Sequence, residues 1–213
     1  MKLYIAKATC SLAAMMVANE LGLAPELVHY DVFNKTTSNG ETFADVNPLG
    51  YVPVLQIDNA TRDTITETIV VNSYLADQYP ETRLAPKRGT LERAHFDQLL
   101  VFVATEIAQK HIPLMRKLLT EDGTAWTRAK LVTAYTVLDN ILADGRTYIT
   151  GEDFTVADAY IWGTMWHERS GAAIGHLTNL MKYVARVAAR PSAQKALKDE
   201  AETVQQHEER LAA

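Results

Sequence analysis

Cys10 could carry out thiol chemistry, and it is the only cysteine in the chain. It lies in Thr9-Cys10-Ser11, after a predicted strand and at the start of a helical pattern. The free N–H groups and positive dipole end of a helix N-terminus favour an anion, and a thiolate placed there has a pKa below its usual value of about 8.5. A lone cysteine is also often an inert core residue. The position alone leaves both interpretations open.

A second candidate is the segment 47–55, NPLGYVPVL. Pro53 falls inside a strand pattern, and because proline has no N–H to donate, it must lie at an edge or at a strand start. If the Val52–Pro53 bond is cis, the Val52 backbone turns outward, and its N–H and C=O can pair with an extended peptide. A turn that leads into an edge strand explains the same residues without a ligand.

A third candidate is Thr66-Glu67-Thr68, at a predicted strand-to-helix junction. A carboxylate, a hydroxyl and the free amides of a new helix come together there. This set suits a ligand that carries both an α-amine and an α-carboxylate. Taken alone, the same tripeptide is a helix cap.

The patterns around these residues predict how they are positioned. A βαβ unit followed by a hairpin and a helix indicates an α/β domain with a sheet of four strands. Strands are predicted over residues 2–5, 26–32, 51–57 and 64–66, and helices over 11–21 and 67–79. The rest of the chain is predicted to be helical, over 91–119, 125–143, 155–170, 177–190 and 192–202. We therefore predict an α/β domain over 1–79, a linker over 80–89 that holds two prolines and a glycine, and an all-helical domain over 90–213.

Composition argues against several classes of function. The 213 residues carry 21 basic and 26 acidic side chains and no basic block, so nucleic acid and anionic membranes are poor candidate partners. No apolar run reaches the ~18–20 residues that span a bilayer, and the start lacks a signal-peptide core, so we expect a cytoplasmic protein. The six histidines are dispersed and the single cysteine can form no internal disulfide, so we expect no metal site and no disulfide.

The chain resembles a bacterial glutathione transferase of the beta class over nearly its whole length. The segments that carry the resemblance are Cys10-Ser11, Lys35, NPLGYVPVLQID at 47–58, Thr66-Glu67-Thr68, FTVADAY at 154–160 and YVARVAARP at 183–191. The resemblance implies a thioredoxin-like N-terminal domain and an all-α C-terminal domain, the glutathione transferase fold. It also implies a homodimer that acts in detoxification, with glutathione as co-substrate and no other cofactor. The second substrate would be a small hydrophobic electrophile or a disulfide, bound by the helical domain, which would also form much of the dimer interface.

The resemblance also implies roles for single residues. Cys10 and Ser11 would be catalytic, with Cys10 able to form a mixed disulfide with glutathione. The implied glutathione-binding residues are Lys35 near the glycine carboxylate, Val52 and Pro53 beside the cysteinyl backbone, Glu67 and Thr68 at the γ-glutamyl end, and Glu106 of the helical domain. Thr155 and Asp158 match a structural capping box and are left outside the site.

The sequence departs from the family in its helical half. The beta class usually has Asn on the long helix and a His-Lys pair seven residues later, where this chain has Val101, Ala108 and Gln109. Ile5 also stands where a tyrosine is common. His111 lies about one helical turn after Ala108, and we expect it to be a solvated or interface histidine, with the helix distorted at 112–113.

Three functions fit the sequence. In conjugation, a glutathione thiolate attacks an electrophile with help from donors at Cys10 and Ser11. In thiol exchange, Cys10 attacks a disulfide or a glutathione adduct, and the protein is a glutathione-dependent oxidoreductase. The third possibility is a binding module without catalysis, which the combined match at the site residues argues against.

Overall fold

The computed structural model describes residues 1–212, and the backbone contacts divide the chain into two compact units. The first unit contains residues 1–82 together with the chain from Ala189 onward, and the second contains residues 83–188. The last helix thus packs with the α/β unit, whereas the sequence groups it with the helical domain. The boundaries at 79 and 90 stay a prediction.

Within the described residues the first unit holds a five-stranded sheet of order β3-β2-β1-β4-β5. The strands are β1 Lys2–Ile5, β2 Glu26–Asp31, β3 Thr36–Thr37, β4 Val54–Gln56 and β5 Thr64–Ile65. Only β1 and β2 are parallel, and every other neighbouring pair is antiparallel. The predicted count of four strands is wrong because β3 has two residues, too few for an alternating pattern, and is defined by its pairing with β2.

The helices follow the predicted order, with differences at their ends. They are α1 Ser11–Glu20, α2 Phe43–Val46, α3 Thr68–Gln78, α4 Leu91–Phe102, α5 Gln109–Met115, α6 Glu121–Ile141, α7 Val156–Gly163, α8 His167–Ser170, α9 Thr178–Ala188 and α10 Pro191–Ala212. The sequence missed the short α2, merged α7 with α8, and ended α10 too early. Pro191, one residue before the predicted start, is the first residue of α10, where its missing N–H costs nothing. The α/β-then-helical architecture is confirmed.

One face of the sheet carries a compact apolar cluster in the first unit. Tyr4 lies opposite Val28 on one side and Val54 on the other, so the sheet register itself brings the three together. Phe43 of α2 covers them and stacks on Tyr30 with ring centroids 4.0 Å apart. Burying each such side chain contributes about 1.5–3 kcal/mol. The cluster therefore holds the strands whose ends carry the candidate site.

The second unit contains the long helical segment that was predicted over 91–119. It is interrupted by a π-helical turn, Val103–Ala108, in which the Gln109 N–H bonds the Ala104 carbonyl five residues back. The helix ends at Met115, and Pro113 lies inside α5 rather than at a break. The predicted distortion of the helix at 112–113 is therefore wrong, because the helix is distorted at 103–108 instead. A π turn inserts one residue and shifts the following helical register by about 100°.

A buried capping box begins α7 and confirms the predicted structural role of Thr155 and Asp158. The Asp158 carboxylate accepts the Thr155 N–H at 2.7 Å and the Thr155 hydroxyl at 2.9 Å. It also accepts the Ile149 N–H at 2.8 Å and the Tyr183 hydroxyl at 2.7 Å. One carboxylate thus joins a loop, a helix start and α9 within this unit.

Candidate functional site

Three of the sequence-predicted segments of the first unit meet at the Cys10 sulfur. Cys10 is the N-cap residue of α1 and keeps partial access to solvent. Its Sγ donates to the Val52 carbonyl oxygen at 3.4 Å, and the Thr68 hydroxyl hydrogen-bonds the same sulfur. The structure therefore brings together the predicted thiol, the segment 47–55 and the start of α3.

Burial raises the pKa of the Cys10 thiol above its ordinary value. Desolvation of the thiolate is the largest effect, and the Glu67 carboxylate raises the pKa further by charge repulsion. The Thr68 hydroxyl and the Cys10 backbone N–H stabilise the thiolate but do not outweigh burial. The expected lowering of this pKa at the helix N-terminus is therefore wrong. The sulfur is a protonated thiol near neutral pH.

Ser11 is completely buried and braces the loop before α1. Its Oγ accepts the Ala6 N–H at 3.2 Å and lies 2.8 Å from the Thr9 hydroxyl, which itself donates to the Ala6 carbonyl. Within residues 1–212 no hydrogen bond joins Ser11 to the Cys10 sulfur. The contacts of Ser11 therefore position the loop before α1. A direct catalytic role for Ser11 stays a prediction.

The cis-proline segment has the backbone that its functional interpretation requires. The Val52–Pro53 peptide bond is cis, and β4 begins directly after Pro53, so the proline precedes a strand as predicted. The Asn47 side chain donates to the Tyr51 carbonyl at 2.8 Å and shapes the turn. The Val52 N–H makes no hydrogen bond within the described part of the chain. The unpaired Val52 N–H therefore lies next to the Val52 carbonyl, which accepts the hydrogen bond from the Cys10 thiol.

Glu67 begins α3 in an unusual conformation. Its φ of 65° lies in the left-handed region, which costs a residue other than glycine about 1–3 kcal/mol and is often found at ligand sites. Its carbonyl accepts the N–H groups of Val70 and Val71, but its exposed carboxylate has no hydrogen-bond or ion-pair partner in residues 1–212. The carboxylate is therefore free to receive a cation beside Cys10 and Thr68.

The remaining predicted glutathione residues lie outside this cluster of contacts. Lys35 follows β2, is exposed, and holds its ammonium 5.8 Å from the centre of the Tyr30 ring. Glu106 belongs to the second unit, where it pairs with Lys110 at 2.7 Å. The hydrogen bond from Lys110 lowers the pKa of Glu106. The roles of Lys35 and Glu106 toward a ligand stay predictions.

His111 is fully buried, so the prediction of a solvated or interface histidine is wrong. Its Nε2 lies 2.8 Å from the Tyr135 hydroxyl, and the Trp166 ring approaches it edge-on at 6.0 Å. Burial, with smaller effects from His167 and Arg169, lowers its pKa to about 4. The helical spacing predicted that His111 lies near Ala108, but it did not predict that α6 packs over His111 through Tyr135.

Glu200 is a supporting residue that the sequence analysis missed. It lies on α10, is almost completely buried, and accepts the backbone N–H of Ala8 in the loop before Cys10. The signal was present in the sequence. Ala193, Ala196 and Val204 form a buried stripe of helical spacing, and Glu200 is the charged residue on that stripe.

Neither a membrane-spanning helix nor a metal-binding cluster is found among residues 1–212. No helix there is both long and apolar enough to cross a bilayer. No group of three or more histidine, cysteine, aspartate or glutamate side chains is arranged to hold a metal ion in the same residues.

Two family models and a curated relative match the chain. "Glutathione S-transferase, N-terminal domain" matches residues 9–78, and "Glutathione S-transferase, C-terminal domain" matches residues 104–200. Glutathione S-transferase GstA of Escherichia coli O157:H7 is 32% identical over 201 residues, which cover 94% of this chain and 98% of GstA. The chain belongs to the glutathione S-transferase family.

Solved glutathione S-transferases have the same fold. A sphingomonad glutathione S-transferase complexed with glutathione matches with a TM-score of 0.87 and 34% identity, covering 94% of this chain and 99% of that one. A beta-class enzyme from Sphingomonas chungbukensis matches with a TM-score of 0.86 and 34% identity, covering 94% and 98%. The predicted glutathione transferase fold and the resemblance to the bacterial beta class are confirmed. By family, the protein is a transferase.

Proposed function

We propose that this glutathione S-transferase binds glutathione beside Val52 and transfers thiols through Cys10. The observation that carries the proposal is the 3.4 Å contact between the Cys10 Sγ and the Val52 carbonyl oxygen, next to the unpaired Val52 N–H. When the cysteinyl residue of glutathione pairs with the Val52 backbone, its sulfur lies close to the Cys10 sulfur. The relatives that are named for glutathione support the same ligand.

The groups around the thiol match the two charged groups on the α-carbon of the γ-glutamyl residue of glutathione. The free Glu67 carboxylate suits the α-amine, and the N-terminal amides of α3 with the Thr68 hydroxyl suit the α-carboxylate. Lys35 would neutralise the glycine carboxylate. In this reaction glutathione is the co-substrate, and we propose that no metal and no other cofactor takes part.

In thiol exchange, the chemistry is a disulfide substitution. The Cys10 thiol loses its proton and its sulfur attacks the glutathionyl sulfur of a mixed disulfide, R–S–SG. The S–S bond breaks, and the displaced R–S thiolate leaves and takes up a proton. A second glutathione thiolate then attacks the glutathionyl sulfur of the mixed disulfide on Cys10, which returns the Cys10 thiolate and releases oxidised glutathione. Glutathione supplies the two electrons that reduce the disulfide, so no other reductant is needed.

Conjugation is the second candidate and uses the glutathione thiolate as the nucleophile. The thiolate attacks an electrophilic carbon, and a leaving group such as halide departs. Ala108 and Val101 offer no donor where the beta class usually has histidine and asparagine, so we propose weak activity toward a simple aryl halide. Detoxification of small hydrophobic electrophiles in the cytoplasm is the physiological role that this activity would serve.

The experiments separate these functions by using the single cysteine of the chain. Oxidised glutathione should add one glutathionyl mass to the wild-type protein, and Cys10→Ser should abolish the adduct. Turnover of a disulfide and of a glutathionyl-ketone should require Cys10, whereas conjugation of an aryl halide should survive in Cys10→Ser. Failure of the wild-type protein to bind immobilised glutathione would instead support a module without catalysis.

We further propose a homodimer of about 47 kDa, which is twice the chain mass of 23.7 kDa. Apolar side chains are exposed on α4 and α6: Leu91 at 73%, Val101 at 50%, Trp126 at 60% and Val137 at 43%. Burying such side chains between two copies is favourable by roughly 25 cal/mol per Å² of apolar surface. Light scattering should give the dimer mass, and Val101→Glu should shift it toward the monomer, while Leu197→Glu on α10 should not.

A further inference from the structure

Two buried histidines join the last helix to the sheet of the first unit. His29 is in β2 and His207 is in α10, and their Nδ1 atoms lie 2.9 Å apart. Their rings meet nearly edge to face, with centroids 5.0 Å apart and an angle of 78° between planes. Only 5% of His29 and 3% of His207 is exposed. The proposed thiol chemistry uses neither residue.

The contact between two Nδ1 atoms depends on how many protons the pair holds. With both rings neutral, one Nδ1–H donates and the other Nδ1 accepts, and one added proton leaves this hydrogen bond in place. A second added proton makes both Nδ1 atoms donors. The hydrogen bond is then lost, and two positive charges face each other in a site shielded from water.

The surroundings of the pair do not neutralise a second charge. The charged groups that act on His29 are Asp31 of β2, Glu208 of α10 and Lys7 of the loop after β1. Lys7 and Glu208 pair with each other at 3.8 Å, so that part of their charge is already compensated. Burial, followed by repulsion from His207, lowers the pKa of His29. Protonation of the pair is therefore opposed while α10 stays packed.

Another contact of this helix end lies at the surface. The Arg210 guanidinium donates to the Ser38 carbonyl at 2.7 Å in an exposed position. Ser38 in turn bonds the His29 backbone through its N–H and its Oγ. The imidazole pair is the buried polar link between this end of α10 and β2.

We propose that His29 and His207 form an acid-sensitive latch, which holds the C-terminal end of α10 on β2 and releases it when both imidazoles are protonated. The sign follows from proton uptake. A histidine whose folded pKa is lowered contributes stability in full above its ordinary value of 6.5, and this contribution is lost as the pH falls below that value. For each proton taken up on release, the opening equilibrium changes by up to about tenfold per pH unit.

Hydrogen exchange tests the latch in the full-length protein. Protection of the amides at 203–210, corrected for the intrinsic pH dependence of exchange, should fall at least about tenfold between pH 7.5 and pH 5. In His207→Gln the amide can donate to a neutral His29 or accept from a protonated one, so the protection should become nearly independent of pH. The control His176→Gln, at an exposed histidine of the second unit, should behave like the wild type.

The proposal is overturned if wild-type protection is the same at both pH values, or if His207→Gln keeps the full pH dependence. Should His207→Gln fail to fold, NMR titration of the His29 imidazole in the wild-type protein tests the latch instead. His29 should bind its proton only below pH 6.5, with the amides at 203–210 exchanging faster in the same range. Titration of His29 at its ordinary value without that change would exclude the latch.

Discussion

The Glu200 carboxylate holds the Ala8 amide, with both of its oxygens 3.2 Å from the Ala8 nitrogen. Ala8 has a φ of 55°, in the left-handed region that a residue with a side chain rarely adopts without support. The two residues are 192 positions apart in the chain, yet the contact lies only two residues before Cys10. A helix from the end of the sequence therefore fixes the loop that carries the thiol.

Removal of this carboxylate should weaken the loop. Glu200→Ala leaves the partly buried Ala8 N–H without its charged acceptor, so the free energy of unfolding should fall by about 1–2 kcal/mol in denaturant titrations. Burial raises the pKa of Glu200, so its ionised form is itself costly at neutral pH. Glu200→Gln keeps an acceptor oxygen without the charge and should lose less than about 1 kcal/mol.

Glu202→Ala is the control, because Glu202 is exposed on the same helix and makes an ion pair at 3.7 Å with Lys198. It should change the unfolding free energy by no more than about 0.5 kcal/mol. If Glu200→Ala were as stable as Glu202→Ala, the contact with Ala8 would contribute nothing to the loop.

Cys10 should react slowly with a neutral alkylating reagent at pH 7 and faster as the pH rises past the ordinary thiol value. The reason is that burial raises its pKa, and the chain has no other thiol to confuse the rate. Thr68→Val removes the hydroxyl that stabilises the thiolate, so the rate at pH 8 should fall severalfold, up to about tenfold. Thr68→Ser should keep the wild-type rate, as should the neighbouring Thr66→Val. Equal rates in all four proteins would show that Thr68 does not act on the thiol.

The sequence predicted the candidate site through local features. The helix that begins at Ser11, the proline at the start of β4 and the strand-to-helix junction at Glu67 each follow from residue types within a few positions. Their convergence on one sulfur follows from the sheet register, since β1 lies between β2 and β4. The resemblance to a known family implied that these segments form one site, but not the order of the strands.

What the sequence did not provide depends on contacts between distant residues. The raised pKa of Cys10 comes from burial by surrounding elements, which a helix N-terminus in isolation does not have. The burial of His111 comes from packing against Tyr135, 24 positions away. Glu200 lies inside the helix predicted over 192–202 and His207 lies beyond its predicted end, and the partners of both are too distant in the chain to be inferred.

Asp158 should be the most sensitive acidic residue of the second unit. Asp158→Ala removes the acceptor of four hydrogen bonds and leaves their donors buried, so the unfolding free energy should fall by at least about 3 kcal/mol. Tyr183→Phe removes only one of these bonds and should cost about 1–2 kcal/mol. The exposed Asp153→Ala should be close to neutral. If the unfolding free energy fell no further in Asp158→Ala than in Tyr183→Phe, the conclusion that the Asp158 carboxylate joins three elements would be wrong.

His111 should make the stability of the second unit depend on pH. Its pKa is lowered from 6.5 to about 4, so it stays neutral in the folded protein while the unfolded chain takes up a proton. The stability from the neutral ring is therefore complete above about pH 6.5 and is lost as the pH falls toward 4, a loss on the order of 3 kcal/mol.

His111→Gln should reveal this loss, because glutamine can keep a hydrogen bond to Tyr135 but does not titrate. Its unfolding free energy should lie below that of the wild type at pH 7, and the two values should converge as the pH falls to 4.5. Denaturant titrations at a series of pH values measure both, with the exposed His95→Gln following the wild type throughout. A constant difference between wild type and His111→Gln at every pH would mean that the buried imidazole is not kept neutral, and the destabilisation would then be due to packing alone.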